Sequence, residues 1–170
     1  MNALERFRES KDDEFRNPDN SPLELSQIRK FTGLDYFPEN ELLRMEIPLI
    51  RYKTADQILL NTSTGAEREY YRVGEALFTY QGVNCVLHIY EDDYGFFVPF
   101  TDQTAPKETY GGGRYLEPYE IRSNVLYVDF NLAYNPYCAY NSKWSCPLPP
   151  DENRLPVRID AGEKIFSGSL

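Results

Sequence analysis

The chain has 170 residues, with 27 acidic and 18 basic side chains and a formal net charge of -9. That balance argues against nucleic acid or an anionic membrane as the main partner, because both demand a basic footprint and no Lys/Arg cluster is present. A hydrophobic fraction of 41%, with 15% aromatics and 14 Tyr, suits a folded core and excludes extensive disorder.

The length fits one domain, read as an N-terminal helical segment (1–33), an antiparallel meander (34–100) and a motif-rich closing region (101–170). No apolar run approaches the roughly 18–20 residues that span a bilayer. The opening stretch has no apolar signal region, so a cytoplasmic location is the expectation. Three Cys and one His supply neither a disulfide framework nor a metal site. No metal and no cofactor are expected.

Residues 3–16 predict an amphipathic helix, with Leu4, Phe7 and Phe15 near helical spacing. Asn17-Pro18 ends it. Ser21-Pro22-Leu23-Glu24 reads as a cap followed by a second helix over 22–31, carrying Leu23, Leu25 and Ile28 inward. From Leu34 the texture changes to short apolar runs between turn residues. Strands are predicted at 42–53, 57–61, 68–73, 75–81, 83–91, 94–99, 125–130 and 156–160. Turns fall at Ser63-Thr64-Gly65, Gln81-Gly82 and Asp92-Asp93-Tyr94-Gly95. Successive strands without intervening helices predict an all-β antiparallel sheet, barrel-like or a sandwich, with short N-terminal helices.

The stretches PFTDQTAPKETYGGGRYLE, VDFNLAYNPYCAY, CPLPPDEN and AGEK, with the earlier KDDEF, SPL and GLDYFP, resemble one uncharacterised bacterial and archaeal family. The resemblance covers nearly the whole chain. That family is a domain of unknown function, so it implies no activity, cofactor or site residue here.

Candidate chemistry therefore comes from the residues themselves. Gly111, Gly112 and Gly113 allow successive backbone N–H groups to converge on an anion, and Arg114 adds a bidentate donor. The alternative is a turn whose arginine pairs with Glu108 or Asp129. Asp129 and Asn131 share one face at the end of a strand, either orienting a ligand or bracing a loop. Tyr110, Tyr115, Tyr134, Tyr137, Tyr140 and Trp144 suit a pocket wall, or equally a cover over a barrel mouth. The ligand set is then Tyr110, Gly111, Gly112, Gly113, Arg114, Asn131, Tyr134 and Tyr137 around a small anionic molecule. If there is chemistry, Asp129 is its general base in a hydrolysis.

Cys138 with His88 would form a nucleophilic dyad. A Cys138–Cys146 disulfide suits an exported chain, zinc lacks a recognisable spacing, and reduced thiols packed as small hydrophobes are the remaining reading. The competing function is a non-catalytic structural or protein-interaction module. Oligomeric state is open.

Overall fold

Alternating apolar side chains between tight turns draw the middle of the chain into long antiparallel strands. The computed structural model describes residues 1–168, so the last two residues of the expected closing region lie outside it. Its elements are α1 (Ala3–Arg16), α2 (Leu25–Ile28), β1 (Arg44–Asn61), β2 (Glu67–Tyr80), β3 (Val83–Asp92), β4 (Gly95–Phe100), β5 (Arg114–Leu116), β6 (Tyr119–Arg122) and β7 (Val125–Asp129). The seven strands form one sheet in the order β5-β4-β3-β2-β1-β7-β6, antiparallel throughout.

That order has a geometric consequence. β5 and β6 stand at opposite edges of the sheet, yet only Glu117 and Pro118 separate them in the chain. Two residues reach no further than about 3.6 Å each. The sheet must therefore curl until its edges nearly meet, and it forms a half-barrel whose edges are tethered without being hydrogen-bonded to each other. β1 makes the turn possible by changing partners along its length. Its first residues pair with β7 from Arg44↔Asp129 to Pro48↔Val125, and the remainder pairs with β2. Gly74 sits where the β1–β2 register shifts, and a Cβ there would lie 2.4 Å from the Ile50 carbonyl oxygen. Only glycine lets the two backbones approach this closely.

Inside the curl lie Ile47, Leu49, Ala76, Phe78, Leu87, Ile89, Val98, Phe100, Leu126, Val128 and Phe130. Each large aliphatic or aromatic side chain buried there contributes roughly 1.5–3 kcal/mol. Leu155, Val157, Ile159 and Ala161 close the open side. Their period-2 burial matches the strand predicted at 156–160, but no ladder forms. Pro156 lacks an N–H, and the neighbouring backbone bonds go to Gln103 and to the Asp102 carboxylate.

The helix over 3–16 has its predicted bounds, with Leu4 and Phe15 buried, whereas Phe7 is exposed. The second helix is a single turn. Glu24 and Gln27 make its capping box in place of the Ser21-Pro22 start. The predicted pairs 42–53/57–61 and 68–73/75–81 each fuse into one long strand, β1 and β2. Among the described residues no helix is long and apolar enough to cross a membrane.

Candidate functional site

The expected anion cradle folds inward. Arg114 is 1% exposed. Its Nη1 donates to the Ala161 and Glu163 carbonyls at 2.5 and 3.1 Å, and its Nη2 to the Ile159 carbonyl at 2.9 Å and Asp102 Oδ2 at 3.4 Å. Burial pulls its pKa down, and Asp102 and Glu163 pull it back up. Both terminal nitrogens of the guanidinium are engaged by the chain's own carbonyls and by Asp102. Gly113, at φ +87°, packs so closely that a Cβ would meet Pro149 at 2.5 Å and the Phe100 carbonyl oxygen at 2.6 Å. Gly112 lies under the Tyr110 ring and Gly111 beside Pro106. These glycines serve close packing.

Asp129 and Asn131 are likewise committed. Asp129 Oδ1 accepts from the Asn131 backbone and side-chain amides, both at 2.9 Å, and Oδ2 accepts from Arg44 Nε at 3.0 Å. Asn131 exchanges two further bonds with the Asn40 backbone. Asp129 borders a hollow of about 40 Å³, too small for a substrate. Three hydrogen bonds and the ion pair with Arg44 hold that carboxylate as a brace between the strand end and the following loop. His88 turns to Glu152, whose carbonyl lies 3.2 Å from Nδ1. Cys138 instead meets Tyr110 and Cys146. The structure does not bring His88 and Cys138 together.

What the fold opens is an aromatic cleft of about 850 Å³, where the tethered edges of the half-barrel meet two C-terminal loops. Strand β2 supplies Arg68 and Tyr70, the β3–β4 hairpin Tyr94, Phe96 and Phe97, and β5 to β6 Tyr115, Glu117 and Tyr119. The loops supply Tyr134, Asn135, Tyr137, Trp144 and Cys146. Tyr134 is held there by a backbone bridge to Tyr115.

The wall is one continuous aromatic series. Tyr70 stacks on Phe97 with centroids 5.2 Å apart, Phe97 meets Tyr115 edge-on at 4.7 Å, and Tyr115 meets Tyr134 edge-on at 5.7 Å. Their polar tips are used: Tyr115 Oη donates to the Pro147 carbonyl at 2.5 Å, and Tyr134 Oη to Glu117 Oε1 at 2.6 Å. Burial raises the pKa of both phenols. Tyr137 packs against Trp144 across the opposite loops, with centroids 5.2 Å apart.

The rim is different. Tyr94 is 99% exposed, and Tyr119 and Tyr137 are about half exposed. Folding alone gives no return for holding three phenols in water around one concavity. Asp92, Glu117 and Glu120 face a single guanidinium, Arg68, which already donates to the Ser145 carbonyl at 2.6 Å. Glu120 pairs with Arg51 outside the cleft. In the wall, Asn135 is 2% exposed, and its Oδ1 has no hydrogen-bond partner. An orphaned buried acceptor costs about 1–3 kcal/mol, and this one is closed off from the cleft surface.

Of the predicted ligand set, Tyr134 and Tyr137 line this cleft, while Tyr110, Gly111, Gly112, Gly113, Arg114 and Asn131 do not. Tyr115 and Trp144, from the wider aromatic group, do. Tyr70, Phe96, Phe97 and Tyr119 escaped the sequence reading because strand positions carry no mark of which sheet edge they approach. Tyr94 had a signal: a large aromatic in a predicted hairpin turn, where a polar residue is the norm.

Residues 29–164 match the protein family described as "Protein of unknown function (DUF1684)". The chain is also similar to an uncharacterised protein of Haloarcula marismortui, solved by solution NMR. Identity is 36%, the match covers 95% of this chain and 91% of that one, and the TM-score is 0.72. No curated protein matches the chain.

Proposed function

We propose a function from the cleft itself, since the chain belongs to the DUF1684 family and that family is described as one of unknown function. The protein binds a small amphipathic molecule with an organic cation or amine at one end and a flat apolar body at the other. The observation that carries this reading is the aromatic cleft of about 850 Å³ with its exposed tyrosine rim. Drug-sized ligands occupy concavities of roughly 300–1,000 Å³ lined by aromatics with a few placed polar groups.

The sign of the ligand follows from the lining. Aromatic faces attract cations, and the carboxylates outnumber the guanidinium. The anionic ligand expected from the Gly-Arg motif loses its support, because those donors are spent inside the fold. The role in this reading is binding, since Asp129 stands outside the cleft and is engaged by Arg44 and Asn131. A cytoplasmic setting belongs to the same reading and is supported by three free cysteines.

The test is calorimetric titration with a matched pair of probes, benzyltrimethylammonium and benzenesulfonate. The ammonium is expected to bind, and Tyr137→Ala to weaken it about tenfold, the equivalent of 1.4 kcal/mol. Tighter binding of the sulfonate, or an affinity for the ammonium unchanged by Tyr137→Ala, would overturn the reading.

A further inference from the structure

The Gly-Arg motif, the aromatic cleft and the buried carboxylates leave one reactive cluster without a role. Cys138, in the 3-10 turn Tyr137–Ala139, and Cys146, at the end of the following loop, are both free. The Cys138 backbone N–H donates to Cys146 Sγ at 3.2 Å, so the second sulfur lies against the first residue. The Tyr110 phenol donates to Cys138 Sγ at 3.5 Å. The loop between the cysteines is strapped to the β1–β2 turn, where Ser63 N donates to the Cys146 carbonyl and Cys146 N to Ser63 Oγ. The thiols are therefore held in register. Cys146 also forms part of the cleft wall, which gives the pair a route to solvent.

We propose that Cys138 and Cys146 form a peroxide-reactive dithiol site, in which a hydroperoxide oxidises Cys138 and Cys146 closes an intramolecular disulfide. In the first step the Cys138 thiolate attacks the distal oxygen of ROOH. The O–O bond breaks, a sulfenic acid forms, and the alkoxide leaves as ROH after taking a proton. In the second step Cys146 attacks the sulfenic sulfur, an S–S bond forms, and hydroxide leaves with the Cys146 proton as water. Two thiols are oxidised by two electrons and one peroxide is reduced. The 3.2 Å contact of Cys146 Sγ with the Cys138 backbone nitrogen brings the two residues together, which closing an S–S bond requires.

The electrostatics agree with this order of attack. The Cys146 thiol hydrogen-bonds Cys138, burial opposes ionisation, and Tyr110 and Ser63 add further donors, so that Cys138 is pulled down to about 6. Cys146 is raised, so the pair gives up one proton readily and keeps the other. Cys85 is the internal contrast. It is buried in the sheet core, and burial alone raises it.

The experiment treats the full chain with stoichiometric hydrogen peroxide, quenches by alkylation at intervals, and reads intact mass and peptide maps. The wild type is expected to lose the mass of two hydrogen atoms, with a reducible 138–146 cross-link forming while Cys85 stays alkylatable. Its rate should fall about tenfold from pH 7 to pH 5 as the thiolate is protonated. Cys146→Ser should stall at a sulfenic acid trapped by a cyclic dione, and Cys138→Ser should lose the fast phase. Equal oxidation of all three cysteines, cross-links between chains, or unchanged kinetics in Cys138→Ser would overturn the proposal. The comparison with Cys85 is made in the wild type, so it holds even if a variant misfolds.

Discussion

Two polar-rich regions of this protein lie within one C-terminal stretch and face opposite demands. Around Arg114 the buried charges are matched. Asp102 accepts from Arg114, Ile159 N and Thr104, and Glu163 accepts from Lys11, Asn135 N and Tyr140. Asn153, fully buried, exchanges bonds with both backbone groups of His88 and with the Pro99 carbonyl. The cleft, by contrast, leaves phenols in water. The difference teaches how to read a conspicuous motif. A dense set of polar residues that satisfies itself is scaffold, because burying charge is affordable only when every group is paired. Aromatic groups left in water around a concave surface are the ones that wait for something else.

The largest effect is expected at the matched region. Arg114→Met removes the donor to three carbonyls and strands the Asp102 carboxylate, at a cost of about 3–5 kcal/mol in chemical denaturation. If stability changes by less than about 1 kcal/mol, the interior network is not what holds the closing segment. Gly113→Ala follows, because the left-handed backbone and the contacts with Pro149 and Phe100 leave no room for a methyl group. Its expected cost is about 2–4 kcal/mol.

Alkaline pH probes the buried phenols. Burial raises Tyr90, Tyr115, Tyr134 and Tyr140 above their unfolded value near 10. A raised folded pKa means that the native state holds the proton longer. The contribution is complete below pH 10 and is lost as pH rises above it, at up to about 1.4 kcal/mol per pH unit for each phenol. Denaturation midpoints should fall steeply between pH 10 and 12, and a flat profile there would place these hydroxyls in water. The smallest effect is at the rim: Tyr94→Ala should leave stability within about 0.5 kcal/mol. A larger loss would make that side chain part of the fold and not of the site.

Much of the frame was legible because its signals are local. The helix at 3–16, the turns at 81–82 and 92–95 and the all-β class follow from periodicity and turn chemistry. Strand β5 was not legible, since Arg114, Tyr115 and Leu116 are all buried and show no alternation. The site was only half legible. Tyr134 and Tyr137 could be singled out within one dense stretch, but the cleft draws the rest of its wall from segments as far back as Arg68. Arg114 was misread for a deeper reason: spacing reports which charges are near in the chain, and burial decides whether a charge is a brace or a ligand. That decision depends on carbonyls nearly fifty residues away.

Trp144 is the only tryptophan in the chain and stands in the cleft wall, so the cleft carries its own reporter. Titrating benzyltrimethylammonium while following Trp144 fluorescence should give a saturable change that weakens in Tyr119→Ala, with the Arg114 network untouched. A response that stays linear with concentration, or one that persists undiminished in Tyr119→Ala, would contradict the claim that the cleft is the protein's working surface.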